Sequence, residues 1–181
     1  MGDTKLKGIY SEGLVLQRNK EIIIEGKDTS ASEVVVTLAG NSVTAKVEGG
    51  SFKAVFPPMD AVFDTELKVE GTETVTVKDV CIGDVYMLTG QSNMELPVIR
   101  TYDLNKEEIE AEDFEYVRQY RLTPDLEIPL KGEEPICKLP ENDWVKASGK
   151  GKYEISAIGF YAAKRIFKEK NVPIGLILSA Q

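Results

Sequence analysis

Apolar and polar residues alternate with a period of two through the first part of the chain, from about residue 14 to residue 80. Such alternation, interrupted by glycine and polar turn residues, predicts short β-strands. Gly40-Asn41 has the sequence of a two-residue hairpin turn, and Pro57-Pro58 ends a strand because proline cannot donate a hydrogen bond to the ladder. About six or seven strands at this spacing indicate a small antiparallel β-sandwich. The apolar positions that define them are Leu14, Val15, Leu16, Ile22, Ile23, Ile24, Val34, Val36, Leu38, Val43, Ala45, Val47, Phe52, Ala54, Phe56, Leu67, Val69, Val75 and Val77.

Beyond residue 80 the pattern changes to alternating strands and helices. A nearly continuous apolar run is typical of a strand that is buried on both faces. Ser156 is a predicted N-cap for the main helix, and Asn171 followed by Pro173 is a helix stop. The predicted elements are a strand over residues 82–88, an acidic helix over 103–113, a second strand over 116–122, a Pro- and Gly-bearing excursion over 123–143, a helix from 156 through 170 and a third strand over 174–178.

These elements make only part of a parallel sheet. Such a sheet needs both faces and both edges covered, yet only three strands and one convincing covering helix precede Gln181. We therefore expect the chain to be the N-terminal portion of a longer protein. An alternative is an oligomer or a second polypeptide that completes the exposed sheet edge.

The two patterns divide the 181 residues into a β-sandwich over residues 1–80 and the first part of an α/β unit over residues 81–181, which makes an α+β chain in two parts. Lys and Arg number 22 against 30 Asp and Glu, a formal charge of −8, and no basic block interrupts the acidity. We expect no nucleic-acid partner, because such binding needs clustered cations. The apolar runs are also too short to span a bilayer, so no membrane partner is expected.

The residue counts also exclude some chemistry. The chain contains no histidine, so it cannot by itself supply a Ser-His-Asp triad or an imidazole zinc site. Cys81 and Cys137 are too few for a disulfide scaffold; they are predicted to be plain thiols, with one bridge as the alternative. The first residues lack the apolar region of a signal peptide, which fits a cytoplasmic protein or a secreted one whose leader was removed.

One serine stands where α/β folds place catalytic groups. The predicted strand over 82–88 runs directly into Gly90-Gln91-Ser92-Asn93. Gly90 permits a positive φ, and the amide of Ser92 can point at a developing oxyanion. From the residues alone, a polar turn with Ser92 as a helix cap is the stronger interpretation, and a catalytic serine is the alternative.

Three segments resemble the sialate O-acetylesterase family of carbohydrate esterases, within the SGNH-hydrolase superfamily. Residues 83–95, GDVYMLTGQSNME, resemble the block that carries the family's nucleophile. Residues 13–18, GLVLQR, are similar to a segment near the start of the family's β-rich N-terminal domain. Residues 158–165 with 172–177, IGFYAAKR and VPIGLI, are similar to the helix and strand before its second block. The three segments occur in the family's order and favour an esterase.

The resemblance implies an α/β/α domain with a flavodoxin-like parallel sheet, preceded by a β-sandwich. It makes Ser92 the nucleophile, with its own amide as one oxyanion donor, and it places Gly90, Gln91 and Asn93 beside the pocket. The implied substrate is an O-acetylated sugar, sialic acid or a relative, which loses acetate through an acyl-enzyme without a metal or an organic cofactor. The family's Gly-Gly-Thr-like block, its oxyanion Asn and its D-x-x-H block cannot be placed within residues 1–181.

The missing histidine has a direct consequence for activity. Loss of the base in a serine hydrolase costs about 10⁶ in turnover, so we expect the 181 residues alone to be inactive. The alternative function is a non-catalytic carbohydrate-binding or interaction module, in which the β-rich half binds and Ser92 is structural.

Two other features have structural interpretations that we prefer. Trp144 is predicted to be a core anchor rather than a sugar platform, and the acidic residues around 123–143 are predicted to form a solvated loop rather than a calcium site.

Overall fold

Strands make up most of the described chain, which is residues 3–122, 125–127, 136–138 and 143–180 of a computed structural model. The strands are β1 (Thr4–Leu6), β2 (Val15–Gln17), β3 (Ile22–Asp28), β4 (Glu33–Leu38), β5 (Asn41–Glu48), β6 (Ser51–Phe56), β7 (Val62–Glu70), β8 (Thr74–Gly90), β9 (Phe114–Arg121), β10 (Asp125–Glu127), β11 (Ile136–Lys138), β12 (Val145–Ala147) and β13 (Ile174–Ala180). The helices are α1 (Ser92–Glu95), α2 (Tyr102–Glu110) and α3 (Ala157–Lys170), with 3₁₀ turns at Val98–Thr101 and Gly151–Tyr153. Within the described residues, no helix is both long and apolar enough to cross a lipid bilayer.

Eleven of these strands form one mixed sheet in the order β1-β3-β6-β5-β4-β7-β8-β13-β9-β12, with β2 also paired to β8. Pairing is antiparallel from β1 through the β7–β8 contact, as the sequence predicts, but β2, which is predicted to belong to the same antiparallel set, runs parallel to β8. The predicted two-sheet sandwich is not clearly matched, because β5 pairs with both β4 and β6 and links these strands to the rest of the sheet.

The second part of the sheet is parallel at its centre. Strand β13 lies between β8 and β9 and runs parallel to both, and β12 adds an antiparallel edge to β9. Strand β8 is continuous over 17 residues, pairing with β7 in its first part and with β13 in its second. The predicted boundary between residues 80 and 81 falls inside this strand, and the two-domain division stays a prediction.

Two apolar cores lie along the sheet. The first contains the alternating residues of the β-rich half together with Tyr120, Trp144 and Ile177 from the later chain. The second lies between α3 and the parallel strands, where Phe160 packs near Leu88 and Leu176. Trp144 is 6% exposed, and its indole N–H donates to the carbonyl oxygen of Ile9 at 2.9 Å. This confirms Trp144 as a core anchor and makes the sugar-platform alternative wrong.

Helix α3 confirms the predicted cap and stop. The Ser156 hydroxyl accepts a hydrogen bond from the amide of Gly159 at 3.2 Å, and Asn171 ends the helix with a left-handed φ of 49°.

The acidic helix is shorter than predicted, since α2 ends at Glu110 rather than at residue 113. One reason is that the Asp113 carboxylate accepts the amide of Gly149 at 3.1 Å and holds this segment outside the helix.

The first hairpin turn is displaced by one residue from its predicted position. Ala39 and Gly40 form the turn, with φ values of 48° and 76°, while Asn41 begins β5 opposite Leu38. The Asn41 side chain explains this one-residue displacement in part, because its amide donates to the carbonyl oxygen of Ala39 at 3.1 Å. The predicted excursion over 123–143 contains the antiparallel pair β10–β11; its acidic residues Glu133 and Glu134 and the thiol of Cys137 lie outside what the structure describes.

A buried guanidinium ties β9 to the bulge in β8. Arg118 is 1% exposed and donates from two nitrogens to the carbonyl oxygen and to the carboxylate of Asp79, each at 2.6 Å. Asp79 has a φ of 56°, opposite the register shift between Thr65 and Leu67. Burial would raise the pKa of Asp79, but hydrogen bonds and charge from Lys146 and Arg118 outweigh it and lower the pKa below its ordinary value.

Replacing this carboxylate should destabilise the fold. We expect Asp79→Asn to lower the free energy of unfolding by about 2 kcal/mol, because Arg118 stays buried without its counter-charge. Since the native pKa is lowered, the ionised carboxylate stabilises the wild type at neutral pH. That contribution is lost as the pH falls through the native pKa, and the variant should lack this acid-dependent loss. Urea unfolding at neutral and acidic pH measures both effects. Equal losses in Asp79→Asn and in the exposed control Asp60→Asn would contradict this role.

Candidate active site

Ser92 lies at a strand-to-helix turn at the end of β8. Gly90 closes the strand with a φ of 140°, Gln91 is extended, and Ser92 is the first residue of the short helix α1. This is the geometry that the sequence predicts, with Gly90 in a backbone conformation that favours glycine. We call residues 90–93 the Ser92 turn.

All four residues of the Ser92 turn are exposed: Gly90, Gln91, Ser92 and Asn93. The Ser92 hydroxyl has no hydrogen-bond partner among the residues that the structure describes. It is therefore neither sealed in a core nor used as a side-chain cap, since Gln91 occupies the N-cap position of α1 without a side-chain hydrogen bond. A serine hydroxyl in this position is accessible to a substrate, but it needs a base to become a nucleophile.

Buried polar contacts hold the segment that follows Ser92. The Ser156 hydroxyl donates to the carbonyl oxygen of Met94 at 2.6 Å, and the amide of Ala157 donates to the carbonyl oxygen of Leu96 at 2.8 Å. Ser156 is fully buried, and its own amide donates to the side-chain oxygen of buried Gln119 at 2.9 Å. The start of α3 and the middle of β9 thus fix the backbone on which Ser92 stands.

The carboxyl ends of the three parallel strands meet at the Ser92 turn. Ala180 of β13 pairs with Gly90, and Arg121 at the end of β9 forms an ion pair with Glu95 of α1. Both charged side chains are more than a third exposed, so this pair contributes little to stability. It places one cation and one carboxylate at the edge of a parallel sheet where α/β proteins bind ligands. A cavity of about 310 Å³ beside it is lined by Gln119, Arg121, Asp143, Val145 and Glu154.

The three segments that resemble the esterase family converge in space. Strand β2 runs parallel to β8, and Arg18 binds Asp84 through two nitrogens at 2.7 and 3.2 Å. The hydrogen bond from Arg18 is the main cause that lowers the pKa of Asp84. The side-chain oxygen of Gln17 accepts the amide of Val85 at 2.9 Å. These contacts make the first two segments a structural support for the strand that carries Ser92.

The third segment, residues 158–165 with 172–177, packs closely against β8 and β2 at positions where one of the two contacting residues is glycine. The amide of Asp84 donates to the carbonyl oxygen of Pro173 at 2.9 Å, and a Cβ atom on Gly83 would lie 2.0 Å from the same oxygen. On the next strand, a Cβ atom on Gly175 would lie 2.9 Å from the Cβ of Val15. Both positions exclude a side chain because the neighbouring backbone or core residue fills the space.

Other candidate groups do not form a site. Burial raises the pKa of the Cys81 thiol to about 11, and its Sγ donates to the carbonyl oxygen of Phe63 at 2.6 Å. Cys81 is thus the inert buried thiol that its position predicts. Across the described ranges, no group of three or more histidine, cysteine, aspartate or glutamate side chains is placed to hold a metal ion.

Comparison with solved structures gives the class of protein to which this arrangement is similar. A crystal structure of a carbohydrate acetylesterase from Xanthomonas citri matches with a TM-score of 0.87 and 26% identity, over 98% of this chain and 40% of that one. The names of the curated relatives specify the enzyme class more narrowly. The sialate O-acetylesterases of Mus musculus and Homo sapiens are 27% and 26% identical to it over 187 aligned positions. No protein-family model matches the chain.

These matches confirm the resemblance to the sialate O-acetylesterase family. They cover 92% of this chain but only 34% of the mouse protein and 35% of the human protein. The chain therefore spans about a third of the length of the curated relatives that it matches, which is consistent with the predicted N-terminal portion.

Sequence reasoning found the residues of the turn but missed those that support it. Ser156 was identified only as a helix cap, and Gln119, Glu95 and Arg121 were not singled out. A polar glutamine within a predicted strand is the one signal that pointed to a buried contact. The partners of Ser156 and Glu95 depend on which strands are adjacent, and the local pattern does not specify that.

Proposed function

We propose that this chain carries the nucleophile of a serine carbohydrate O-acetylesterase. The observation that carries the proposal is the exposed Ser92 hydroxyl, mounted at the carboxyl end of β8 in a chain whose relatives are named as acetylesterases. The substrate that this supports is an O-acetylated sugar, sialic acid or a related compound. In this proposal residues 1–80 form a β-sandwich domain, and residues 81–181 form the first part of an SGNH-type α/β/α domain.

In this proposal Ser92 attacks the acetyl carbonyl carbon, and the hydroxyl proton passes to a base as the C–O bond forms. The amide of Ser92 stabilises the oxyanion, and Gly90, Gln91 and Asn93 shape the pocket around it. Collapse of the tetrahedral intermediate expels the sugar oxygen, which takes up the proton. Water then attacks the acetyl-enzyme and releases acetate. The reaction uses no metal or organic cofactor.

The base is a histidine outside residues 1–181, oriented by an aspartate that also lies outside them. The position of the histidine follows from the composition, since the chain has none, and that of the aspartate follows from the family resemblance; both fit the coverage of about a third of the relatives. The histidine belongs either to a later part of the same polypeptide or to a second one that docks at the open side of the parallel sheet. Without it the 181-residue chain is inactive.

Hydrolysis assays test this proposal directly. We expect the full-length protein that contains residues 1–181 to release acetate from p-nitrophenyl acetate and from O-acetylated sialic acid. The isolated 181-residue chain should show no turnover above the buffer rate, because the loss of the base removes about 10⁶ in rate. Full activity in the isolated chain would refute the external base, and inactivity of the full-length protein on every acetylated sugar would refute the esterase.

A further inference from the structure

The β-rich half contains a cavity that the proposed esterase reaction does not use. Its volume is about 760 Å³, within the range of small-ligand sites. The lining residues come from β1, β3, β5 and β6 and from Lys7, and in the strand order β4 and β7 separate β5 from β8, which carries Ser92. We call this cavity the lysine groove; it is lined by Lys5, Leu6, Lys7, Glu25, Gly26, Lys27, Lys46, Glu48, Ser51, Phe52 and Lys53.

The lysine groove is basic in an acidic protein. Five lysines face two glutamates there, an excess of three positive charges, while the whole chain carries a net charge of −8. Lys27, Lys46 and Lys53 are exposed and form no ion pair with any residue that the structure describes. Lys5 stands directly opposite Lys27 across the β1–β3 ladder, which concentrates positive charge there, although Lys5 also forms an ion pair with Asp3 at 2.6 Å.

We propose that the lysine groove binds an acidic oligosaccharide, a sugar chain that carries carboxylate groups. Lys27, Lys46 and Lys53 supply point charges for carboxylates, and half-buried Leu6, with the apolar stems of the lysines, gives the groove an apolar surface for the C–H faces of sugar rings. Glu48 and Ser51, which pair across the β5–β6 ladder, supply acceptors for sugar hydroxyl groups. A sugar hydroxyl can donate a hydrogen bond to the Glu48 carboxylate, whereas a bare inorganic anion would be repelled by it.

A nucleic acid fits the lysine groove less well than a sugar. Single-stranded nucleic acids bind through exposed aromatic side chains on which bases stack, and the aromatic residue of the groove, Phe52, is only 3% exposed. The lining residues contain no arginine, the side chain that holds phosphate with a planar fork.

A matched pair of triple variants tests the proposal on the 181-residue chain. The first is Lys27→Gln, Lys46→Gln and Lys53→Gln; the control, Lys20→Gln, Lys78→Gln and Lys150→Gln, changes the net charge equally at exposed lysines outside the groove. Trigalacturonate and sialyllactose are the acidic probes, lactose is the neutral probe, and a single-stranded oligonucleotide is the competitor. Calorimetry at about 0.02 M and about 0.2 M salt gives the dissociation constants.

We expect at least one acidic sugar to bind saturably at low salt and more weakly at high salt, and lactose not to bind. The groove variant should raise the dissociation constant about tenfold, since three surface charge contacts are lost, and the control should stay within about twofold. Equal weakening in both variants, equal binding of lactose, tighter binding of the oligonucleotide or no binding of either acidic sugar would overturn the proposal. Ser92→Ala should leave this binding unchanged, so failure here is separable from failure of the esterase.

Discussion

Replacing Ser92 by alanine is expected to lower acetyl-ester hydrolysis by the full-length protein about 10⁶-fold, to the level left by binding and oxyanion stabilisation alone. The reason is that in the proposed mechanism the hydroxyl oxygen of Ser92 forms the bond to the acetyl carbon, and no other side chain of the Ser92 turn can replace it. The exposed position of Ser92 and its lack of a partner among the described residues predict that the fold tolerates the change. The rate of acetate release and the urea midpoint measure the two effects separately.

Ser42→Ala is the matched control for this experiment. Ser42 is also exposed, but it lies on β5, where its hydroxyl contacts the hydroxyl of Thr37 at 2.9 Å. We expect its activity to equal that of the wild type. If Ser92→Ala kept its activity while Ser42→Ala behaved the same, Ser92 would be a structural residue of the turn and another nucleophile would have to be found.

Gly83→Ala is expected to cause the largest loss of stability among single methyl additions to β8. The new Cβ atom would lie 2.0 Å from the carbonyl oxygen of Pro173, which is backbone and cannot rotate away. Strands β8 and β13 must then separate, and the hydrogen bond from Asp84 to Pro173 is lost. We expect a loss of about 3 kcal/mol, seen as a fall of roughly 10 °C in Tm.

The same change should reduce hydrolysis by the full-length protein, because the ladder that Gly83→Ala disturbs ends where Gly90 pairs with Ala180 beside Ser92. Thr76→Ala, at an exposed position of the same strand, is the control and should change stability by less than about 0.5 kcal/mol. A Gly83→Ala protein with wild-type stability would show that the approach of β13 to β8 is looser than the distance indicates.

Local signals were sufficient for much of the fold. Ser156 and Asn171 determine the backbone at the two ends of α3 through a cap and a left-handed conformation, so the sequence alone predicts both ends. The turn around Ser92 was predictable for the same reason, since Gly90 follows an apolar strand directly.

The predictions differ from the structure where contacts between distant parts of the chain determine strand boundaries and sheet pairing. The strand through Val77 and the strand over 82–88 are predicted as separate elements, but Arg118 binds Asp79 from β9 and β8 continues through a bulge. A charged residue inside the second predicted strand gave no sign that it would be buried with a partner 39 positions away. The alternation at Val43, Ala45 and Val47 predicts β5 itself, but no local signal shows that its pairing with both β4 and β6 joins the predicted sandwich strands into one sheet.

Strand β8 supplies Val80 and Ile82 to the first core and Leu88 to the second. Because β8 contributes side chains to both cores, neither core can unfold by itself without breaking hydrogen bonds that stabilise the other. Cooperative unfolding of the two halves follows, and a strain introduced in the β-rich half is transmitted along a single strand to the serine at its end. In the proposed esterase, such a shared strand would make the β-rich half a mechanical part of the catalytic centre rather than an appended module.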